Sequence, residues 1–245
     1  MTEQTSTRCG YVALIGVPNA GKSTLVNALV GAKVSIVSRK VQTTRALVRG
    51  IAMVDQTQII FVDTPGIFSP KRRLERAMVT SAWGGAGEAD AVGLVIDARK
   101  GIDEDVETLL QSLSEWKKPI HLILNKVDLV DPPHLLKLAE MLNQRIAFKE
   151  TFMVSATSGS GVDRVRKHFA SLMPESPWLY PEDQVSDAPM RMLAAEITRE
   201  KMFERLHDEL PYRSTVETDQ WQTRKDGSVR IEQTIFVERE SQRMI

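Results

Sequence analysis

Gly16-Val17-Pro18-Asn19-Ala20-Gly21-Lys22-Ser23 fits the pattern G-x-x-x-x-G-K-[ST], and its neighbours supply the context that the pattern needs. The apolar run Tyr11 to Ile15 reads as a strand entering it, and Thr24 to Val30 reads as a helix leaving it. The glycines let consecutive backbone N–H groups turn inward as a nest for phosphate oxygens, and the positive end of the helix points at the same anion. Lys22 then stands as a point charge for the β- and γ-phosphates, with Ser23 Oγ as a ligand of a bridging magnesium ion. Gly16, Pro18, Asn19, Ala20, Gly21 and Thr24 complete the cradle.

Composition adds bounds. The chain has 245 residues, enough for one large core or two modest ones. Its 32 Lys and Arg balance 32 Asp and Glu, so no global field draws it to nucleic acid or membrane. The single cysteine, Cys9, allows no internal disulfide and suits a reducing cytosol. No apolar run reaches the roughly 18 residues of a membrane span, and the polar start has no signal-peptide core. The expectation is a soluble, monomeric, cytoplasmic protein.

Outward from the loop, the polar stretch 33–45 is placed to close over the γ-phosphate. Thr44 is the expected second hydroxyl on magnesium, with Thr43 as the fallback and a strand-capping role for the pair as the plainer alternative. The strand Gln58 to Val62 ends in Asp63-Thr64-Pro65-Gly66, joined to a preceding strand (47–54) by the turn Asp55-Gln56-Thr57. A carboxylate at the tip of a buried strand needs partners, so Asp63 is expected to hold magnesium from its second shell, and the Gly66 amide to sense the γ-phosphate.

The base is read further on. Pro119 to Leu124 runs into Asn125-Lys126-Val127-Asp128. Guanine presents N1–H and a 2-amino group as paired donors, which Asp128 can accept, whereas adenine has no use for a carboxylate there. Asn125 braces the loop and approaches N7, and the stem of Lys126 lies over the ring. The strand Thr151 to Val154 delivers Ser155-Ala156-Thr157, whose backbone amide is placed to donate to the 6-oxo group. A phosphotransferase needs no such set, and a module using nucleotide only as a plug needs no hydrolysis; both remain alternatives to a GTPase.

The ordered set GVPNAGKS, QTTR, DTPG, NKVD and SAT resembles the translation-factor-related GTPases. The PNxGKS and TTR wording is similar to the Era family, over roughly residues 8 to 240, with further matches at Ile67, Pro181-Glu182-Asp183 and the stretch Ala194 to Lys201. The resemblance implies a P-loop GTPase fold, a mostly parallel six-stranded sheet flanked by helices, and hydrolysis of GTP to GDP and phosphate, expected to be slow or assisted because the Ile67 side chain cannot hydrogen-bond a water. It implies a role in small ribosomal subunit assembly, with 16S rRNA bound by a C-terminal KH module; peripheral membrane association, also a family trait, finds no support in the sequence. Where Ras-like GTPases carry a water-orienting glutamine, this chain has Ile67. Asn19 resembles the asparagine by which related GTPases hold potassium, and Arg45 is a weaker choice as an internal arginine finger.

The rest divides by pattern. Ala91 to Ile96 reads as a central strand, and helical periodicity recurs at 105–116, 133–147 and 162–172. Trp83 and Trp116 read as core or rim, the histidines lack ligand spacing, and Lys71-Arg72-Arg73 with Arg76 reads as a solvated cluster. The GTPase domain is placed at 8–174. Three prolines between 174 and 181 mark 175–189 as an extended linker. Residues 190–245 are placed as a partial KH-like α+β module. It holds an amphipathic helix over 189–209, with Met192, Leu193, Ile197, Met202, Phe203 and Leu206 on its apolar side. A hairpin follows, turning at Asp226-Gly227. The family's GXXG loop would come after Glu238-Arg239-Glu240, so the module is expected to be truncated. This part holds ten basic against eleven acidic residues, which is not the footprint of an RNA reader.

Overall fold

The computed structural model describes residues 6–244, and these form two units. The first takes in residues through Ser35 and Thr44–Asp187; the second is Ile36–Thr43 together with Ala188 onward.

The first unit is an α/β layer structure. Its strands are β1 (Arg8–Ile15), β2 (Val48–Val54), β3 (Thr57–Asp63), β4 (Ala91–Asp97), β5 (Ile120–Asn125) and β6 (Thr151–Val154). The helices are α1 (Lys22–Val30), α2 (Arg73–Glu88), α3 (Glu104–Leu113), α4 (Pro132–Arg145) and α5 (Val162–Leu172). The sheet runs β2-β3-β1-β4-β5-β6, with only the β2–β3 hairpin antiparallel. β3 and β4 are buried along their whole length, as covering helices on both faces require. Leu14, Ile15, Leu94, Ile96 and Phe61 are fully buried, each contributing about 1.5–3 kcal/mol relative to exposure.

α2 is a helix that periodicity missed. Its second half carries Gly84, Gly85 and Gly87, which lower intrinsic helix propensity. Packing overrides this: Ala82 and Ala86 are buried, and a Cβ at Gly85 would lie 3.2 Å from Leu47.

The proline-rich stretch is extended, but it is pinned rather than free. Ser186 bridges Gly50, and Ile51 N–H donates to Val185 O at 2.9 Å, which covers the open edge of β2. Gln58, fully buried, accepts at Oε1 from the backbone N–H groups of Leu179 and Tyr180 and donates through Nε2 to Tyr180 O at 2.8 Å. A side-chain amide that matches a backbone amide is what prolines cannot signal in sequence.

The second unit contains α6 (Met190–Arg205) and the antiparallel hairpin of β7 (Ser214–Thr223) and β8 (Val229–Val237). The hairpin turns at Gly227, at φ 81°, with Asp226 Oδ1 accepting from Ser228 N–H. α6 stops at Arg205, four residues short of the expected 209, and Asp208 beyond it takes a positive φ. Its buried face also differs from the apolar pattern. Ala195, Arg199, Glu200 and Phe203 are buried, whereas Met192 and Ile197 are exposed, because two charged side chains find partners in 36–43. No helix among the described residues is long and apolar enough to cross a membrane.

Candidate nucleotide site

The site is assembled at the C-terminal tips of β1, β3, β4, β5 and β6, where loops of an open α/β sheet converge. α1 begins at Gly21 in the left-handed region (φ 93°) with no side chain capping its first amides, which leaves them for an anion. Gly21 is required twice over, since a Cβ there would also fall 2.3 Å from Asn125 Nδ2. Asn19 takes a positive φ of 64°, while Pro18 faces Gly66, where a Cβ would meet the proline at 2.7 Å. The Asp-Thr-Pro-Gly turn therefore lies directly on the phosphate loop, tied by Ile67 N–H to Gly16 O at 3.0 Å and by Thr64 Oγ1–H to Leu14 O at 2.8 Å.

Lys22 is buried at 6% exposure, its ammonium donating to Gly16 O and Val17 O at 3.0 and 3.1 Å. Burial pushes its pKa down to about 8, against the opposing pull of the Asp63 carboxylate. Asp63 is fully buried, and burial raises its pKa while hydroxyls from Ser23, Ser35 and Thr44, and the charge of Lys22, act against this.

Around Asp63 the hydroxyls converge. Ser35 Oγ–H donates to Asp63 Oδ2 at 2.5 Å, Thr44 Oγ1–H to the same oxygen at 3.3 Å, and Ser23 Oγ lies 3.0 Å from Thr44 Oγ1. Asp63 Oδ1 is buried with no hydrogen-bond partner among the described residues. This cluster fits a magnesium site by its hard oxygen donors and by spacing, since bonds of about 2.1 Å at right angles put adjacent ligands about 3.0 Å apart. Of the two threonines the structure brings Thr44 to the cluster; Thr43 Oγ1–H is turned to Lys40 O at 3.0 Å.

The base-side residues interlock with the phosphate loop. Asn125 Nδ2 donates to Ala20 O at 3.0 Å, and its Oδ1 accepts from Lys126 N–H and Ala156 N–H at 2.9 and 3.1 Å. Lys126 Nζ donates to Asn19 O at 2.7 Å and to Asp97 Oδ2 at 2.6 Å. Asp128 is exposed in a 3-10 turn, Val127–Leu129. Ser155 is buried and its Oγ accepts from Ser158 N–H at 3.2 Å, shaping the turn that carries buried Ala156 and exposed Thr157. Thr24 is half-buried in the first turn of α1, and Arg45 is half-buried beside Thr44.

Three contributors were missed from sequence. Asp97 is a carboxylate at the end of a buried strand, the same signal as Asp63, and the signal was there to use. Ser35 and Asn27 gave none. Asn27 of α1 fixes the loop by accepting from Val34 and Ser35 N–H at 2.9 Å each and donating to Ser35 O at 2.8 Å, which places the Ser35 hydroxyl on Asp63.

Fold and site together define a P-loop GTPase, and residues 11–126 match the family model described as a 50S ribosome-binding GTPase. The chain is similar to GTPase Era of Afipia carboxidovorans, 65% identical over 239 residues that cover 98% of this chain and 78% of the relative. It is 64% identical to GTPase Era of Brucella suis over its full length and 78% of that relative. The crystal structure of Era in complex with MgGDPNP and nucleotides 1506-1542 of 16S ribosomal RNA superposes with a TM-score of 0.89 at 37% identity, over 96% of this chain and 80% of the other. The chain belongs to the Era family of GTPases. It is accordingly a hydrolase acting on GTP.

Proposed function

We propose that this GTPase acts as a magnesium-dependent guanine-nucleotide switch in small ribosomal subunit assembly, in the cytoplasm, with 16S rRNA as its partner. The observation that carries the switch is the pair of hydroxyls, Ser23 Oγ and Thr44 Oγ1, held 3.0 Å apart beside Asp63 with its Oδ1 unspent. Support for the ribosomal partner comes from the solved Era structure that holds both MgGDPNP and a 16S rRNA fragment.

In this reading the amides of Gly16 to Thr24 cradle the phosphates. Lys22 leaves the loop carbonyls for the β- and γ-phosphates, which raises its charge affinity again. Ser23 and Thr44 would hold magnesium through their hydroxyls, with the Asp63 carboxylate supporting them. Such an ion would supply neutralisation of the phosphate charge. The Gly66 amide faces the γ-phosphate, Asp128 accepts from guanine N1–H and the 2-amino group, Asn125 and Lys126 hold the base plane, and the Ser155 to Thr157 turn meets the 6-oxo group. Ile67 offers no hydrogen bond to a water and its side chain is buried in the core, so intrinsic turnover is slow. Asn19 would hold a potassium ion, which would supply further positive charge beside the phosphates. The division of labour runs between a GTPase body over 8–174, a connecting stretch over 175–189, and a KH-like RNA-binding part over 190–245.

Single-turnover assays test this. GTP, but not ATP, should yield free phosphate only with magnesium, faster in potassium than in sodium, and a 16S rRNA 3′ fragment should shift in a gel with the GTP-analogue form. Phosphate release from ATP at the same rate, or none from GTP, sinks the switch; equal rates in potassium and sodium remove the role of Asn19. Identical RNA binding with GDP and with the analogue leaves a nucleotide-plugged binding module instead.

A further inference from the structure

Ser23, Asn27, Ser35, Thr44 and Asp63 all belong to the first unit, and hydrogen bonds join them around one carboxylate. Its two oxygens differ. Asp63 Oδ2 accepts from Ser35 Oγ–H at 2.5 Å and from Thr44 Oγ1–H at 3.3 Å, while Oδ1 is buried with no hydrogen-bond partner among the described residues. A buried acceptor left unmatched is unfavourable by itself, so the cluster is not arranged for folding alone.

The shorter of the two contacts also has the firmer support. Ser35 stands in the loop after α1, and Asn27 of that helix holds it. Asn27 Oδ1 accepts from Val34 N–H and Ser35 N–H at 2.9 Å each, and Nδ2 donates to Ser35 O at 2.8 Å, so one side chain fixes the peptide groups on both sides of Ser35. The chain leaves the first unit after Ser35 and returns to it at Thr44, by way of a segment with no helix or strand. Of the two donors to Asp63, Ser35 is therefore the one anchored to a helix of the nucleotide site itself.

We propose that Ser35 is a positioning residue for the magnesium site, and that Asn27 holds Ser35 in place. A carboxylate turns about its Cβ–Cγ bond and exchanges its oxygens unless a donor holds one of them. Ser35, through a short charge-assisted hydrogen bond, holds Oδ2 and so keeps Oδ1 as the free acceptor. Magnesium tolerates little departure from octahedral geometry and keeps several of its waters, so a carboxylate turned the wrong way costs affinity. This rests on the reading of Ser23, Thr44 and Asp63 as a magnesium site. Among the described residues no hydrogen bond joins the side chains of Ser35 or Asn27 to the phosphate loop or to the guanine-side residues. Binding of nucleotide without the metal should be indifferent to both.

The test uses the full chain with Ser35→Ala, Asn27→Ala and the two combined. Magnesium is titrated against binding of a fluorescent GTP analogue, and GDP affinity is measured in EDTA. Ser35→Ala should raise the magnesium concentration for half-maximal binding by about 10- to 50-fold, with GDP affinity in EDTA within about twofold of the parent's. Asn27→Ala frees the backbone of Ser35 but keeps its hydroxyl, and should raise the requirement by about 3- to 10-fold. In the combined variant the Asn27 change should add nothing to the Ser35 change, because it acts through that hydroxyl. Ser35→Cys keeps the volume and a weak donor, should lie between Ser35→Ala and the parent, and decides alone if the alanine variant fails to fold. An unchanged magnesium requirement, an equal loss of GDP affinity in EDTA, or additive effects overturn the proposal. A parent chain whose analogue binding ignores magnesium overturns the switch reading as well, whereas a parent that responds to magnesium and a Ser35→Ala variant that responds alike overturn this inference alone.

Discussion

Lys126 Nζ sits 2.6 Å from Asp97 Oδ2, an ion pair that joins the tip of β4 to the loop after β5 and points the lysine at the Asn19 carbonyl. Asp97 is 3% exposed and Lys126 27%, so water screens the pair only in part. Its other oxygen accepts from Arg99 N–H at 3.0 Å, which fixes the carboxylate from below. Asp97→Asn keeps an acceptor for Arg99 and removes the ion pair. Affinity for GDP and for GTP should fall together by about 5- to 30-fold, somewhat less than the full worth of one charge-assisted hydrogen bond because water screens Lys126 in part. Calorimetric titration checks this; a loss confined to GTP would place the effect on the phosphate side instead.

Asp128 makes a sharper prediction about the base. If Asp128 accepts from guanine as proposed, Asp128→Asn would remove two charge-assisted hydrogen bonds, and GDP affinity should drop by about 100-fold or more. The amide can donate to a 2-oxo group, so xanthosine diphosphate should become the better ligand. Competition between the two diphosphates for the variant reads this directly, and an unaltered preference for GDP would remove Asp128 from the base.

Ile67 should resist conversion into a water-positioning residue. Its side chain is 6% exposed within the core while its N–H is tied to Gly16 O, so Ile67→Gln buries an amide instead of presenting one. We expect no acceleration of GTP hydrolysis and a loss of about 1–3 kcal/mol of stability, seen as a lower midpoint in urea. Faster turnover at unchanged stability would show that the residue can turn outward.

His121, remote from the nucleotide loops, predicts a pH dependence. It is 2% exposed, its Nδ1 lies 3.0 Å from His168 Nε2, and Phe169 packs against it edge-on. Burial, then the neighbouring His168, lowers its pKa from 6.5 to about 4; Lys149 adds to this and Glu150 opposes it. A histidine depressed in the folded state takes its proton first in the unfolded chain. Stability is therefore full above about pH 6.5 and falls as the pH drops toward 4, by on the order of 3 kcal/mol across that window. His121→Gln should flatten the fall in denaturant midpoints measured between pH 7 and pH 4.5; an equal slope in both proteins would count against it.

The parts legible in sequence were those written locally. Each nucleotide loop follows its own apolar strand, so Lys22, Asp63 and Asn125 could be placed from a few neighbouring residues. What stayed hidden depends on contacts far along the chain. Arg199 meets Thr43 across 156 residues and Gln58 meets Tyr180 across 122, and neither pairing leaves a periodic trace. α6 misled for the same reason: apolar spacing pointed to Met192 and Ile197, while partners supplied from 36–43 buried two charges instead. The glycines of α2 hid a helix whose formation is decided by packing on Leu47.

Gln58 also says where the catalytic body can be excised. Ending a fragment at residue 174, where the helical pattern gives out, would strip Leu179 and Tyr180 from its amide and leave that amide without the three hydrogen bonds that satisfy it. It would also uncover Cys9, Ile51 and Ile60, now packed under Trp178 and Tyr180, and reopen the β2 edge that Val185 and Ser186 occupy. Such a fragment invites strand-to-strand aggregation and thiol oxidation. A cut after Asp187 keeps the seam closed, and a protease given the intact chain should find its first foothold beyond that residue rather than among the prolines.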